Sequence, residues 1–189
     1  GGRPYIFQEV IDQGGEPITA SQYFGAGSVT EFKYGLKVAQ NIKSLHYLSN
    51  LGENWGLMPN KYALTFLSNH DNQRGHGGGG ELITFQHNAY DYKVATVYML
   101  GWDYGVKRVM SSYYFSDPDE GPPSNQRSIE SNFTVSCGNG WVCEHRWKTI
   151  APMFAFAAAV EGQPVNDWWD NGNNQIAWGR GDKGFIVIN

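Results

Sequence analysis

The sequence predicts an α/β fold: a parallel sheet with helices between its strands, followed by the start of an antiparallel β segment. Three observations carry this. Short apolar runs alternate along the chain with segments of helical spacing, the pattern of strand–helix units in a parallel sheet. One apolar run (Ala63, Leu64, Phe66, Leu67) ends abruptly in the polar string Ser68-Asn69-His70-Asp71-Asn72-Gln73-Arg74-Gly75-His76, with glycines at 77–80 behind it. A buried strand that delivers polar groups at its C-terminal end, beside a loop, is how an α/β barrel presents a site. From Asp167 onward the character changes to short strands around a Gly-rich turn.

The elements follow in order. Residues 5–9 form a short apolar strand ending in the carboxylate of Glu9, and residues 29–32 form a second strand. Leu36, Ala39, Ile42 and Leu45 recur at helical spacing and predict a helix over 34–48. The third strand covers 63–69, and a helix over about 88–102 places Ala95, Tyr98 and Leu100 on or near one apolar face. Residues 106–111 form a fourth strand; a long loop rich in Pro, Ser and Gly then leads to a helix over about 144–160. Beyond it, 175–178 and 184–188 are strand-like, joined by the turn Gly179-Arg180-Gly181-Asp182, which reads as a hairpin opening a separate β domain. Four strand–helix units fall short of a closed eight-stranded barrel, which takes typically ~250 residues. The chain opens at Gly1-Gly2-Arg3-Pro4 without a methionine or signal peptide and stops inside a strand-like run, so it reads as a piece of a longer protein.

Composition narrows the class. With 41% hydrophobic and 17% charged residues the chain is globular and carries too few charges for a disordered tail. The aromatic content of 15% suits rings that stack on sugars, but a large α/β core accounts for most of it. A net charge of −4 disfavours nucleic acid and anionic membranes, both of which need clustered Lys and Arg. No apolar run approaches the length of a membrane span. The two cysteines, Cys137 and Cys143, are too few for a zinc site, and no histidine pair stands at ligand spacing near them. A local disulfide there fits a secreted protein. The sequon Asn132-Phe133-Thr134 permits glycosylation in a secretory pathway.

The polar string at 68–76 is dense in groups able to contact a polyhydroxylated ligand. His76 and its glycines resemble the oxyanion loop of some esterases, but that chemistry needs a Gly-x-Ser-x-Gly elbow and the chain contains none. A phosphate-binding loop needs Gly-Lys-Ser/Thr after its glycines, where Glu81 stands instead.

The same residues carry a family resemblance. Asn69-His70-Asp71-Asn72-Gln73-Arg74-Gly75-His76-Gly77 resembles the most recognisable block of the animal-type α-amylases, which are glycoside hydrolases. Phe7-Gln8-Glu9-Val10-Ile11-Asp12, with Gly14-Gly15-Glu16-Pro17 behind it, resembles the family segment that bears the acid catalyst. Thr30-Glu31-Phe32-Lys33-Tyr34-Gly35, Arg108-Val109-Met110-Ser111-Ser112-Tyr113, Cys143-Glu144-His145-Arg146-Trp147 and Trp168-Trp169-Asp170-Asn171-Gly172 follow in the family's order, from about Arg3 to Asn189. The loop over 116–132 resembles the family only loosely. The implied fold is strands five to eight of a (β/α)8 TIM barrel over 1–165, then the start of a C-terminal antiparallel β-sandwich over 166–189.

The resemblance also implies roles. The activity is endo-hydrolysis of α-1,4-glucosidic bonds in starch, glycogen and malto-oligosaccharides by a retaining double displacement. Glu9 matches the general acid/base, and Asp71 matches a carboxylate that binds substrate and stabilises the transition state. An acid of this kind must hold its proton near neutral pH, which takes desolvation or a neighbouring negative charge. His70 and His76 match sugar-contacting histidines, and Glu16 a residue on the leaving-group side of the cleft. Asn69 and Arg108 match two ligands of an activating chloride. Cys137 and Cys143 match a family disulfide. The nucleophile, the third chloride ligand and the calcium ligands are expected upstream of Gly1, so no metal ligand is named here. The complete protein is expected to be a secreted, extracellular monomer, and this piece alone inactive. The competing reading is a non-catalytic, amylase-like carbohydrate-binding homologue.

Overall fold

The computed structural model describes residues 2–76, 83–123 and 137–189. The glycine run at 77–80, Glu81 and the sequon Asn132-Phe133-Thr134 lie outside the described residues. Four parallel strands, β1 (Phe7–Gln8), β2 (Ser28–Thr30), β3 (Ala63–Thr65) and β4 (Val106–Lys107), form one sheet in sequence order. Sequence neighbours are spatial neighbours throughout, the order that successive strands of a barrel require. The central strands β2 and β3 are buried at every position, whereas Phe7 on β1 and Val106 on β4 are exposed at the two edges.

The strands are shorter than their apolar runs suggested because pairing stops where the chain turns toward polar partners. Residues 66–69 continue β3 without a ladder, and Asn69 is taken up in side-chain bonds to its own loop. After β2 comes α1 (Phe32–Asn41), capped by Glu31, whose carboxylate accepts the Lys33 N–H at 3.1 Å and the Met58 N–H at 2.7 Å. The helix stops before 48: residues from Leu45 to Asn50 form a separate 3-10 turn whose backbone is tied to a distant loop instead, through His46 N–H to the Asn173 carbonyl at 3.0 Å. After β3 comes α2 (Ala89–Gly101), capped by Asn88. After β4 comes α3 (Ala151–Ala159), which starts later than 144 because Pro152 lacks an N–H and is tolerated only in a first turn. Between β1 and β2 the described chain has a 3-10 turn, Ala20–Tyr23, and no α-helix, so three of the four units have their helix.

The antiparallel segment is a three-stranded sheet, β5 (Val165–Asp170), β6 (Ile176–Arg180) and β7 (Gly184–Ile188). The sequence pattern showed only the last two. β5 carries two Asp and an Asn, residues depleted in strands, and its register shifts between Asn166 and Trp169. This sheet closes on α2 through Tyr98, Trp102, Trp168 and Trp178, whose ring centroids lie 5.2–5.8 Å apart. Gly101 eases this contact, because a Cβ there would displace the end of the Ile186 side chain and crowd Trp178. Arg180 is buried and donates to the carbonyls of Gly101 and Gln163, each at 2.7 Å, and pairs with Asp103 at 3.0 Å. No helix among the described residues is long and apolar enough to cross a membrane.

Candidate functional site

The C-terminal ends of the four parallel strands converge on one cleft of about 420 Å³, lined among others by Phe7, Glu9, Thr30, Asn69, His70 and Arg108. Each strand contributes. β1 delivers Glu9, and the segment behind it is pinned to β2: the Val10 N–H donates to Thr30 Oγ1 at 3.0 Å, and that hydroxyl reaches the Val10 carbonyl at 3.3 Å. β3 runs into Asn69, whose Oδ1 accepts the N–H groups of Asp71 and Asn72 at 3.1 and 2.8 Å. Asn72 returns the contact, its Oδ1 accepting the Asn69 N–H at 2.7 Å. This reciprocal Asn turn forces the chain off the strand direction and fixes the loop that carries His70 and Asp71.

Within the cleft, Asn69 Nδ2 donates to Glu9 Oε1 at 3.4 Å, joining the ends of β1 and β3. His70 Nε2 lies 3.3 Å from Asp71 Oδ1. The Arg108 guanidinium stacks over the Phe7 ring, 5.4 Å from its centroid, and makes no ion pair or hydrogen bond among the described residues. An amide donor and a spare guanidinium thus line the same cavity as Glu9, a donor set that suits a small anion. Glu9 itself is exposed, so none of the described residues supplies the desolvation expected of a general acid.

Three residues singled out in the sequence, Asp71, Glu16 and His76, lie outside this cavity's lining, Asp71 directly beside the lining residue His70. Glu16 curls back on its own loop, where Oε2 accepts the N–H groups of Gln13, Gly14 and Gly15 at 2.8–3.1 Å. Those backbone donors, Gly15 first, hold its carboxyl below the usual range. His76 is exposed and sits 3.8 Å from Asp119. Arg74 clamps the loop bearing Asp119 against the 69–76 segment, donating to the carbonyls of Pro118 and Glu120 at 2.8 Å each. Its guanidinium also covers the rings of Tyr113 and Phe115.

Cys137 and Cys143 are disulfide-bonded, with Cα atoms 5.8 Å apart. The loop they close pairs back onto the chain after β4: Val142 N–H donates to the Ser112 carbonyl and Tyr114 N–H to the Gly140 carbonyl, both at 2.8 Å. Among the described residues no cluster of three His, Cys, Asp or Glu is placed to hold a metal ion. Sequence reasoning missed the polar residues beneath the loop. Gln73, Ser112 and Glu144 are all buried, and Ser112 is hydrogen-bonded to each of the other two. Each stands inside a string already noted for other members, and nothing in one-dimensional spacing distinguishes it from a surface residue.

Compared with known proteins, the chain is 50% identical over 206 aligned positions to pancreatic alpha-amylase 2a5 of Mus musculus, an alignment that takes in the whole chain and 41% of that protein. It is likewise 50% identical to alpha-amylase 1B of Homo sapiens, over the whole chain and 40% of the relative. The chain therefore spans about two fifths of the length of the curated relatives it matches. Among solved structures, alpha-amylase I of Eisenia fetida superposes with a TM-score of 0.87 at 44% identity; it was crystallised as a variant in complex with maltohexaose, and the match covers 98% of this chain and 40% of that one. No protein-family model matches the chain.

Proposed function

We infer the activity of the complete protein from one premise: the chain belongs to the animal-type α-amylases, members of the α-amylase family of glycoside hydrolases. The four parallel strands are read as strands five to eight of a (β/α)8 barrel over residues 1–165, and residues 166–189 as the opening of the C-terminal β domain. The complete protein hydrolyses internal α-1,4-glucosidic bonds of starch, glycogen and malto-oligosaccharides, and acts outside the cell as a monomer. The observation that carries this reading is the convergence of Glu9, Asn69, His70 and Arg108 on one cleft at the strand ends.

In the mechanism, Glu9 protonates the glycosidic oxygen as a carboxylate nucleophile upstream of this chain attacks the anomeric carbon. Glu9 then takes a proton from the water that attacks the same carbon and releases the sugar with its configuration retained. The Asn69 amide orients the Glu9 carboxyl through its hydrogen bond. Asp71 is assigned as the carboxylate that opposes positive charge developing on the sugar ring, with His70 beside it donating to sugar hydroxyls. His76 and Glu16 extend the contact surface along the chain of sugars. Asn69 and Arg108 would hold the chloride, which when bound supplies a fixed negative charge near Glu9. Calcium, if held, takes its ligands from upstream.

The test is release of reducing sugar from starch by the complete protein, with the anomeric configuration of the first product followed by NMR. Release of the α-anomer is expected. Glu9→Gln keeps the shape and hydrogen bonding but cannot deliver a proton, so turnover should fall by at least ~10²–10⁴-fold while maltohexaose still binds. A wild-type protein that binds maltohexaose without cleaving it would establish the non-catalytic homologue instead, and a Glu9→Gln variant retaining a tenth of the activity would remove Glu9 from the acid role.

A further inference from the structure

Beneath the loop that carries Asp71 runs a buried polar chain that the mechanism above does not use. Glu144 is fully buried and accepts two hydrogen bonds from one residue: the Ser112 N–H donates to Oε2 at 2.7 Å and the Ser112 hydroxyl donates to Oε1. With its proton committed to Glu144, the Ser112 Oγ can only accept from Gln73, whose Nε2 reaches it at 2.8 Å. The second Nε2 proton of Gln73 goes to Ser68 Oγ at 3.0 Å. The direction of every bond is thus set from the Glu144 end. Gln73 lies in the short turn, Asn72–Arg74, that Asp71 begins; the Asp71 carbonyl accepts the N–H groups of Arg74 and His76 at 2.9 and 3.0 Å. At the other end, Glu144 follows directly on the disulfide cysteine Cys143, which has a left-handed backbone at φ 53°.

We propose that Glu144, Ser112 and Gln73 are positioning residues for Asp71, transmitting the rigidity of the disulfide-closed loop at 137–143 to the turn that presents this carboxylate. On its exposed side the turn is held by Arg74, which donates to the carbonyls of Pro118 and Glu120. His70 and Asp71 are themselves partly or largely exposed, with side-chain exposures of 64% and 39%, and the bonds among Asn69, Asp71 and Asn72 are internal to the loop. On its buried side the Gln73 amide ties the turn both to Ser68, three residues beyond β3, and to Ser112 in the segment after β4. A buried network of this kind specifies one geometry when every member is satisfied and becomes costly when one partner is lost.

The inference rests on the reading of Asp71 as a carboxylate that faces the reacting sugar, and its test separates the two. In the complete protein, Gln73→Met (which conserves volume but removes both donors) and Glu144→Gln are compared with wild type by hydrogen–deuterium exchange of the peptide covering 69–76. Exchange there should accelerate in both variants and remain unchanged in the peptide covering β2. In parallel, kcat should fall on the order of 10- to 100-fold, as expected for a misplaced catalytic group, with KM moving far less. The same substitutions made in an Asp71→Asn background should produce almost no further loss of kcat, because the positioned group is already gone. Unchanged exchange at 69–76 in Gln73→Met overturns the proposal, whatever the activity. So does a loss of kcat that is equally large with and without Asp71. A wild-type protein that shows no hydrolysis, but whose 69–76 exchange responds to Gln73→Met, overturns the role given to Asp71 and leaves the positioning chain standing. If Glu144→Gln fails to fold, Gln73→Met alone decides between these outcomes.

Discussion

Arg108 illustrates how a single side chain changes meaning between sequence and structure. After Lys107 it reads as a surface cation, and only the resemblance singles it out. In the structure its guanidinium stacks on Phe7, lines the cleft with Glu9 and Asn69, and has no counter-charge among the described residues. Activity of the complete protein should therefore depend on chloride, and Arg108→Gln should make it nearly indifferent to chloride. The comparison is activity in chloride against a non-coordinating anion at equal ionic strength; identical wild-type activities in the two salts would make Arg108 an ordinary structural arginine. A second residue carries a pH signature. Glu31 is fully buried, and desolvation raises its pKa above the ordinary 4.5, against the opposing hydrogen bonds from Met58 and Lys33. A raised pKa means that the folded state binds the proton more tightly than the unfolded one. The contribution is therefore complete below pH 4.5 and is lost as pH rises through the folded value. The stability difference between wild type and Glu31→Gln, measured by denaturant unfolding of the complete protein, should shift in favour of the variant as pH rises across that window. A difference independent of pH would mean that Glu31 titrates alike in both states. Glu9 and Asp71 stood out as candidates in the sequence because each follows an apolar run inside a distinctive string. Glu144 and Gln73 did not, since they lie 32 and 39 residues along the chain from their shared partner Ser112 and meet it only once the sheet has formed.

At the scale of the element, the decisive contact is α1 against the end of β3. Gly35 faces the strand so closely that a Cβ would lie 2.5 Å from the Leu67 carbonyl oxygen and 3.1 Å from that of Phe66. The obstruction is backbone on both counts, so it cannot rotate away. Gly35→Ala should destabilise the complete protein by about 1–3 kcal/mol, the cost of overpacking, although alanine is the better helix former. The same displacement should reach the loop that starts two residues beyond Leu67. A thermal midpoint equal to or above that of wild type would show that the helix can move off the strand without cost. The strands themselves were legible through their apolar runs, and the order of the helices through their spacing. Helix ends were less so: Pro152 announces the start of α3, but the early end of α1 depends on a tie between His46 and Asn173, which no local pattern encodes. β5 was missed for a similar reason, because its Asp and Asn residues satisfy a bulged strand that only its pairing with β6 reveals.

For the whole molecule, the parallel sheet among the described residues ends at two edge strands, β1 and β4, each of which exposes an apolar side chain. Phe7 on β1 is 41% exposed and Val106 on β4 is 47% exposed, with Tyr5 and Ile6 also open to solvent beside β1. Edge strands that expose apolar side chains are templates for pairing with another chain, and the one charge on these two strands, Lys107 of β4, is half-buried. The helix α3 points the same way. Its nine residues (Ala-Pro-Met-Phe-Ala-Phe-Ala-Ala-Ala) are apolar on every side, yet none is buried and Phe154 is 39% exposed. A helix apolar all round belongs in an interior or an interface. By contrast, α2 is buried on most of its length between the two sheets, and the Trp168–Trp178–Trp102 cluster gives that half of the molecule a packed core. This 189-residue chain by itself should therefore retain structure around α2 and β5–β7 while its sheet edges and α3 drive association. Expressed alone it should bind a hydrophobic dye, aggregate with rising concentration, show no single cooperative thermal transition, and release no reducing sugar from starch. Calorimetry together with light scattering makes the comparison. A monomer that melts in one sharp step would mean that the open edges and the uncovered helix are compatible with a stable fold.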